Sequence, residues 1–109
     1  MKGIVKVGKQ QARKYGTPTA NIYTSEELEL GIFMGHFVFK NDLYKSCIYV
    51  SKEGELTKVE AYAIDRENLD LYNEEIEVHI SDKIRDIRRF DSFDELKLQI
   101  LRDVEACRN

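Results

Sequence analysis

Apolar and polar residues alternate along most of this chain in runs too short for helices. Ile4, Val5 and Val7 suggest a first strand. GIFMGHFVF (31–39) carries the apolar and aromatic residues that suit a half-buried pleat. Lys40-Asn41-Asp42 has turn chemistry, and LYKSCIYV (43–50) follows it, so the two runs predict a hairpin. KEGE (52–55) is a second turn. In LTKVEAYAI (56–64), Leu56, Lys58, Glu60, Tyr62 and Ile64 share one face; Thr57, Val59, Ala61 and Ala63 share the other. EEIEVHI (74–80) alternates cleanly, with Ile76, Val78 and Ile80 on one side. Consecutive antiparallel strands at this spacing predict a sandwich or barrel. The period then changes. Ser92 and Glu95 form a capping box, and Phe93, Leu96, Ile100, Leu101, Val104 and Cys107 fall on one helical face. This predicts an amphipathic helix over 93–107, packed on the sheet.

The 109 residues suit one domain spanning 1–109. No apolar run approaches the ~20 residues of a membrane helix. The start, MKGIVKV, lacks the apolar stretch of a secretory signal, so a cytoplasmic protein is expected. A net charge of −3, from 17 basic and 20 acidic residues, gives no general attraction to nucleic acid. The expected partners are small molecules, with no nucleic acid and no membrane, and the expected state is a monomer. Cys47 and Cys107 form no CxxC pair and are expected as reduced, partly buried thiols. His36 and His79 lack further ligands at metal-binding spacing and read as ordinary strand residues. Lys83, Arg85, Arg88 and Arg89 read as a solvated basic loop balanced by Asp82, Asp86 and Asp91. Tyr62 and Tyr72 suit stacking on a planar ring, though strand aromatics are more often core.

Two places carry candidate chemistry. The first is GTPTAN (16–21), which holds the chain's one proline. Pro18 fixes its own φ and drives Thr17 toward extended backbone. Thr19 and Asn21, two apart, then point the same way and offer a hydroxyl and an amide oxygen. Both are hard ligands suited to Mg²⁺. Upstream, GKQQARKYG (8–16) runs from Gly8 to Gly16 and carries Lys9, Arg13 and Lys14, a loop able to offer N–H groups and positive charge to phosphate. Read alone, Thr and Asn beside a proline are more often turn or capping residues. The second place is Glu60, mid-strand on a face with Leu56 and Ile64. A carboxylate there must be paired, exposed or functional. A general base is one reading. Simple pairing with Lys58 is the other.

Taken together, Gly3-x-Val5, Gly8, Gly16-x-Pro18-Thr19-Ala20-Asn21, Gly31-Ile32-Phe33, Val59-Glu60, Asp70-Leu71-Tyr72, Ile84-Arg85, Arg89-Phe90-x-Ser92, Glu95-Leu96, Gln99-Ile100 and Asp103 resemble the riboflavin kinase family, in order and over nearly the whole chain. The resemblance implies a six-stranded antiparallel Greek-key β-barrel with a C-terminal helix. It implies transfer of the ATP γ-phosphate to the riboflavin 5′-hydroxyl, giving FMN and ADP. It implies that Thr19 and Asn21 hold Mg²⁺, that Glu60 is the catalytic base, and that Gly8, Lys9, Arg13, Gly16, Pro18 and Thr19 meet the nucleotide. Arg85 and Phe90 correspond to a loop over the flavin. Tyr62 stands where the family pattern has histidine, Asn73 where it has glycine, and Gln10 and Ala12 where glycine is common. A non-catalytic flavin- or nucleotide-binding module derived from the family is the alternative.

Overall fold

The computed structural model describes residues 1–6, 19–64 and 71–108. Its elements are β1 (Lys2–Ile4), β2 (Thr19–Thr24), β3 (Gly31–Phe39), β4 (Asp42–Glu53), β5 (Leu56–Ala63), β6 (Glu75–Arg85) and α1 (Phe93–Cys107). One antiparallel sheet runs in the order β1-β6-β3-β4-β5-β2. It curls until its ends meet. There the Lys6 N–H donates to the Asn21 carbonyl at 2.8 Å, which nearly closes a barrel.

Each tight approach has a local cause. Lys40 and Asn41 both take positive φ, of 49° and 69°, which is the two-residue turn whose twist matches the β3–β4 hairpin. Asn73 takes φ 65°, a backbone state that asparagine tolerates better than most residues. Gly35 lies where β3 and β6 shift register, and a Cβ there would meet the His79 carbonyl oxygen at 2.2 Å. Gly3 lets β1 settle on Ile22 of β2, where a Cβ would sit 2.4 Å from the Ile22 side chain.

The strands' alternation divides the apolar residues between two cores. Inside the barrel lie Ile22, Phe33, Phe37, Ile48, Val59 and Ile76 among others. On the outer face, Ile32, Cys47, Tyr62 and Ile64 meet Ile100, Val104 and Cys107 of α1. Ser92 caps this helix by accepting from the Glu95 N–H at 3.2 Å. Both cysteines are free and fully buried, more so than expected, and belong to this outer core.

The structure corrects two expectations, on Leu101 and on the basic loop, and adds a detail to a third. Leu101 is 48% exposed, and the buried position beside Ile100 belongs to Asp103 instead. The segment read as a basic loop is strand as far as Arg85; alternation fails there because ion pairs, not apolar burial, occupy its side chains. His36 and His79 are cross-strand partners with rings stacked 4.7 Å apart, and His79 Nε2 lies 2.6 Å from Glu77. Val7 lies outside the described residues. Among the described residues no helix is long and apolar enough to cross a membrane.

Candidate active site

β5 places Lys58, Glu60 and Tyr62 on the face that turns toward α1. Across one ladder Glu60 is paired with Asn21 of β2, and across the other with Tyr49 of β4. Thr19 takes the register position opposite Tyr62. The two places with candidate chemistry, represented by Asn21 and Glu60 at 39 residues apart in sequence, are therefore neighbours at the barrel's seam. The Lys6–Asn21 bond fixes the Asn21 backbone there.

Asn21 is 3% exposed, yet its Oδ1 finds no hydrogen-bond partner among the described residues. A buried acceptor left unpaired costs roughly 1–3 kcal/mol, so such atoms are uncommon without a functional reason. A neutral hard oxygen at a register position opposite a carboxylate is a fitting ligand for Mg²⁺. Among the described residues no group of three or more His, Cys, Asp and Glu side chains could by itself hold a metal ion.

Glu60 is held on both oxygens. Lys58 Nζ lies 2.9 Å from Oε1, and the Tyr62 hydroxyl donates to Oε2 at 3.0 Å. The pairing with Lys58 is thus real. It does not exclude a base, because each carboxylate oxygen keeps a second lone pair. Burial pulls the Lys58 ammonium down, but the Glu60 carboxylate outweighs it and holds the group above its ordinary value. Burial pushes the Tyr62 hydroxyl up, and the charge of Glu60 adds to this.

Behind Tyr62 stands a second polar layer. Its ring packs against Tyr49, centroids 4.8 Å apart. The Tyr49 hydroxyl donates to Asp103 Oδ2. Asp103 is 2% exposed and receives a bidentate grip from Arg85, Nε to Oδ1 at 2.8 Å and Nη2 to Oδ2 at 2.6 Å, while Gln99 Nε2 adds 2.9 Å to Oδ1. Arg85 Nη1 donates to the Asp86 carbonyl. The Arg85 fork is thus occupied by protein groups, and its exposed face lies 6.0 Å from the centre of the Phe90 ring. The Arg88 guanidinium lies 5.3 Å from that same ring.

The fold brings together Asn21 and Glu60 at the seam, and Arg85 and Phe90 at the end of β6. Gly8, Lys9, Arg13, Gly16, Pro18 and the Thr19 side chain lie outside the described residues. Sequence reasoning gave no site role to Tyr49, Gln99 or Asp103. Asp103 carried a usable signal: it falls on the helix's apolar stripe between Ile100 and Cys107, a carboxylate where burial is expected, as at Glu60.

A model of the riboflavin kinase family matches residues 1–109. The chain is 35% identical over 113 residues to the RNA-binding riboflavin kinase RibR of Bacillus subtilis, covering 95% of this chain and 47% of that protein. It is 34% identical over 117 residues to a bifunctional riboflavin kinase/FMN adenylyltransferase of Buchnera aphidicola, covering 97% of this chain and 36% of that one. A crystal structure titled as a macrolide-efflux protein from Streptococcus pneumoniae superposes with a TM-score of 0.81 at 29% identity, over 99% of this chain and 38% of that one. The chain thus spans less than half the length of these curated relatives. It belongs to the riboflavin kinase family.

Proposed function

We propose that this chain is a riboflavin kinase that transfers the γ-phosphate of ATP to the riboflavin 5′-hydroxyl, releasing FMN and ADP. The observation that carries this reading is the buried Asn21, whose Oδ1 has no partner among the described residues and which lies directly across the ladder from Glu60. Phosphoryl transfer asks a protein for positioning and charge neutralisation rather than covalent chemistry. In this reading Thr19 and Asn21 hold Mg²⁺, which neutralises phosphate charge when bound. Gly8, Lys9, Arg13, Gly16 and Pro18 belong to the nucleotide side, and Arg85 and Phe90 to the flavin side. Glu60 accepts the 5′-hydroxyl proton as the new P–O bond forms and the bond to ADP breaks. Riboflavin and ATP are the partners; with a net charge of −3 we expect no nucleic acid, and saturable RNA binding at physiological salt would overturn that part.

The test is to incubate the protein with riboflavin, ATP and Mg²⁺ and separate the flavins by chromatography with fluorescence detection. FMN should form, and Glu60→Gln should slow it about 100-fold or more. Flavin binding without FMN at any Mg²⁺ concentration would make the chain a non-catalytic flavin-binding module.

A further inference from the structure

The geometry points to Tyr62 and Lys58 as positioning residues that clamp the Glu60 carboxylate from two sides and set its plane against Asn21. This rests on the reading of Glu60 as the base. A glutamate has three free torsions, and a base that wanders among rotamers is rarely in line with its proton donor. Here Lys58 Nζ holds Oε1 at 2.9 Å and the Tyr62 hydroxyl holds Oε2 at 3.0 Å, one oxygen each. Two contacts on opposite oxygens stop both translation and rotation of the carboxylate.

The clamp is itself supported. Tyr62 is 5% exposed and Lys58 8% exposed, so neither swings freely. The Tyr62 ring rests on Tyr49, whose hydroxyl is held by Asp103 of α1. Asp103 is fixed in turn by Arg85 and Gln99. Glu60 therefore inherits its position from the helix through two aromatic rings. Supporting layers of this kind decide whether reacting groups stay within a few tenths of an ångström of productive geometry. The clamp leaves one lone pair on each carboxylate oxygen, so Glu60 still accepts the substrate proton.

Tyr62→Phe removes one hydroxyl and keeps the ring packed on Tyr49. Steady-state kinetics of Tyr62→Phe, Glu60→Gln and the double variant test the clamp. Tyr62→Phe should lower kcat roughly ten-fold while the KM values for riboflavin and ATP stay within about two-fold. In the Glu60→Gln background the same substitution should change kcat no further, because it acts only through the carboxylate. An unchanged kcat in Tyr62→Phe, or an equal loss in both backgrounds, would overturn the clamp while leaving Glu60 as base. Full activity in Glu60→Gln would overturn the base itself. Should Tyr62→Phe not fold, Lys58→Met in the same cycle gives the same readings from the other oxygen.

Discussion

Asn21 is the residue at which stability and the proposed function pull apart. Its amide oxygen is buried and unpartnered among the described residues, a state that costs roughly 1–3 kcal/mol. Replacing it with an apolar β-former of similar reach removes that cost. Asn21→Val is expected to raise the unfolding free energy by about 1 kcal/mol in urea denaturation. The same variant should lose the Mg²⁺-dependent part of any thermal shift given by ATP. A destabilised Asn21→Val that kept the shift would show that the oxygen is neither strained nor a ligand. From sequence, Asn21 was found by its spacing from Thr19. Its burial was not legible, because the bond that seats it comes from Lys6 on the far side of the seam.

Between elements, the decisive contact is the one carboxylate of α1 that enters the outer core. Asp103 binds side chains from β4, β6 and its own helix, so removing it strands several partners at once. Asp103→Ala is expected to cost about 3 kcal/mol, the scale for breaking a buried ion pair by taking one partner. Equilibrium unfolding would check this, and a loss below about 1 kcal/mol would mean that water replaces the carboxylate. The same layer makes the fold sensitive to alkali. Burial pushes the Tyr49 hydroxyl above its ordinary value, and the Asp103 carboxylate that accepts its hydrogen bond pushes it further. The unfolded chain then ionises Tyr49 first. Stability is fully present below the unfolded value of about 10 and falls as pH rises beyond it, by about 1.4 kcal/mol per pH unit for this group. Tyr49→Phe should flatten the loss of Tm between about pH 10 and 11, and an unaltered alkaline limb would remove Tyr49 as its cause. The helix boundaries were legible because Ser92 and Glu95 mark the start and the apolar stripe repeats faithfully. The inward turn of Asp103 rather than Leu101 was not, since the two flank the Ile100, Val104 and Cys107 stripe on opposite edges and the Arg85 guanidinium settles which edge enters.

At the scale of the molecule, a barrel with a helix on its outer face has two cores that share Tyr62's strand, so a ligand at the seam should stabilise both. The period-2 runs made β3, β4 and β5 legible, because each buries one face against the barrel core. β6 was only half legible: past Ile80 its partners on β3 are met through register shifts, and its side chains turn to Glu29, Asp86 and Asp103. Ligand binding converts this architecture into a measurable quantity. A ligand at about 100 times its dissociation constant stabilises the native state by about 2.7 kcal/mol. For a domain of this size that is a rise in Tm of roughly 10 °C or more. Riboflavin with ATP and Mg²⁺ should produce such a rise, and Glu60→Gln should keep it while making little FMN, because the proposed base would act on the transferred proton rather than on binding. If Glu60→Gln instead lost the shift together with FMN formation, the carboxylate would be holding substrate. A shift equal in both proteins, with no FMN from either, would leave a flavin-binding barrel that has kept the site and lost the chemistry.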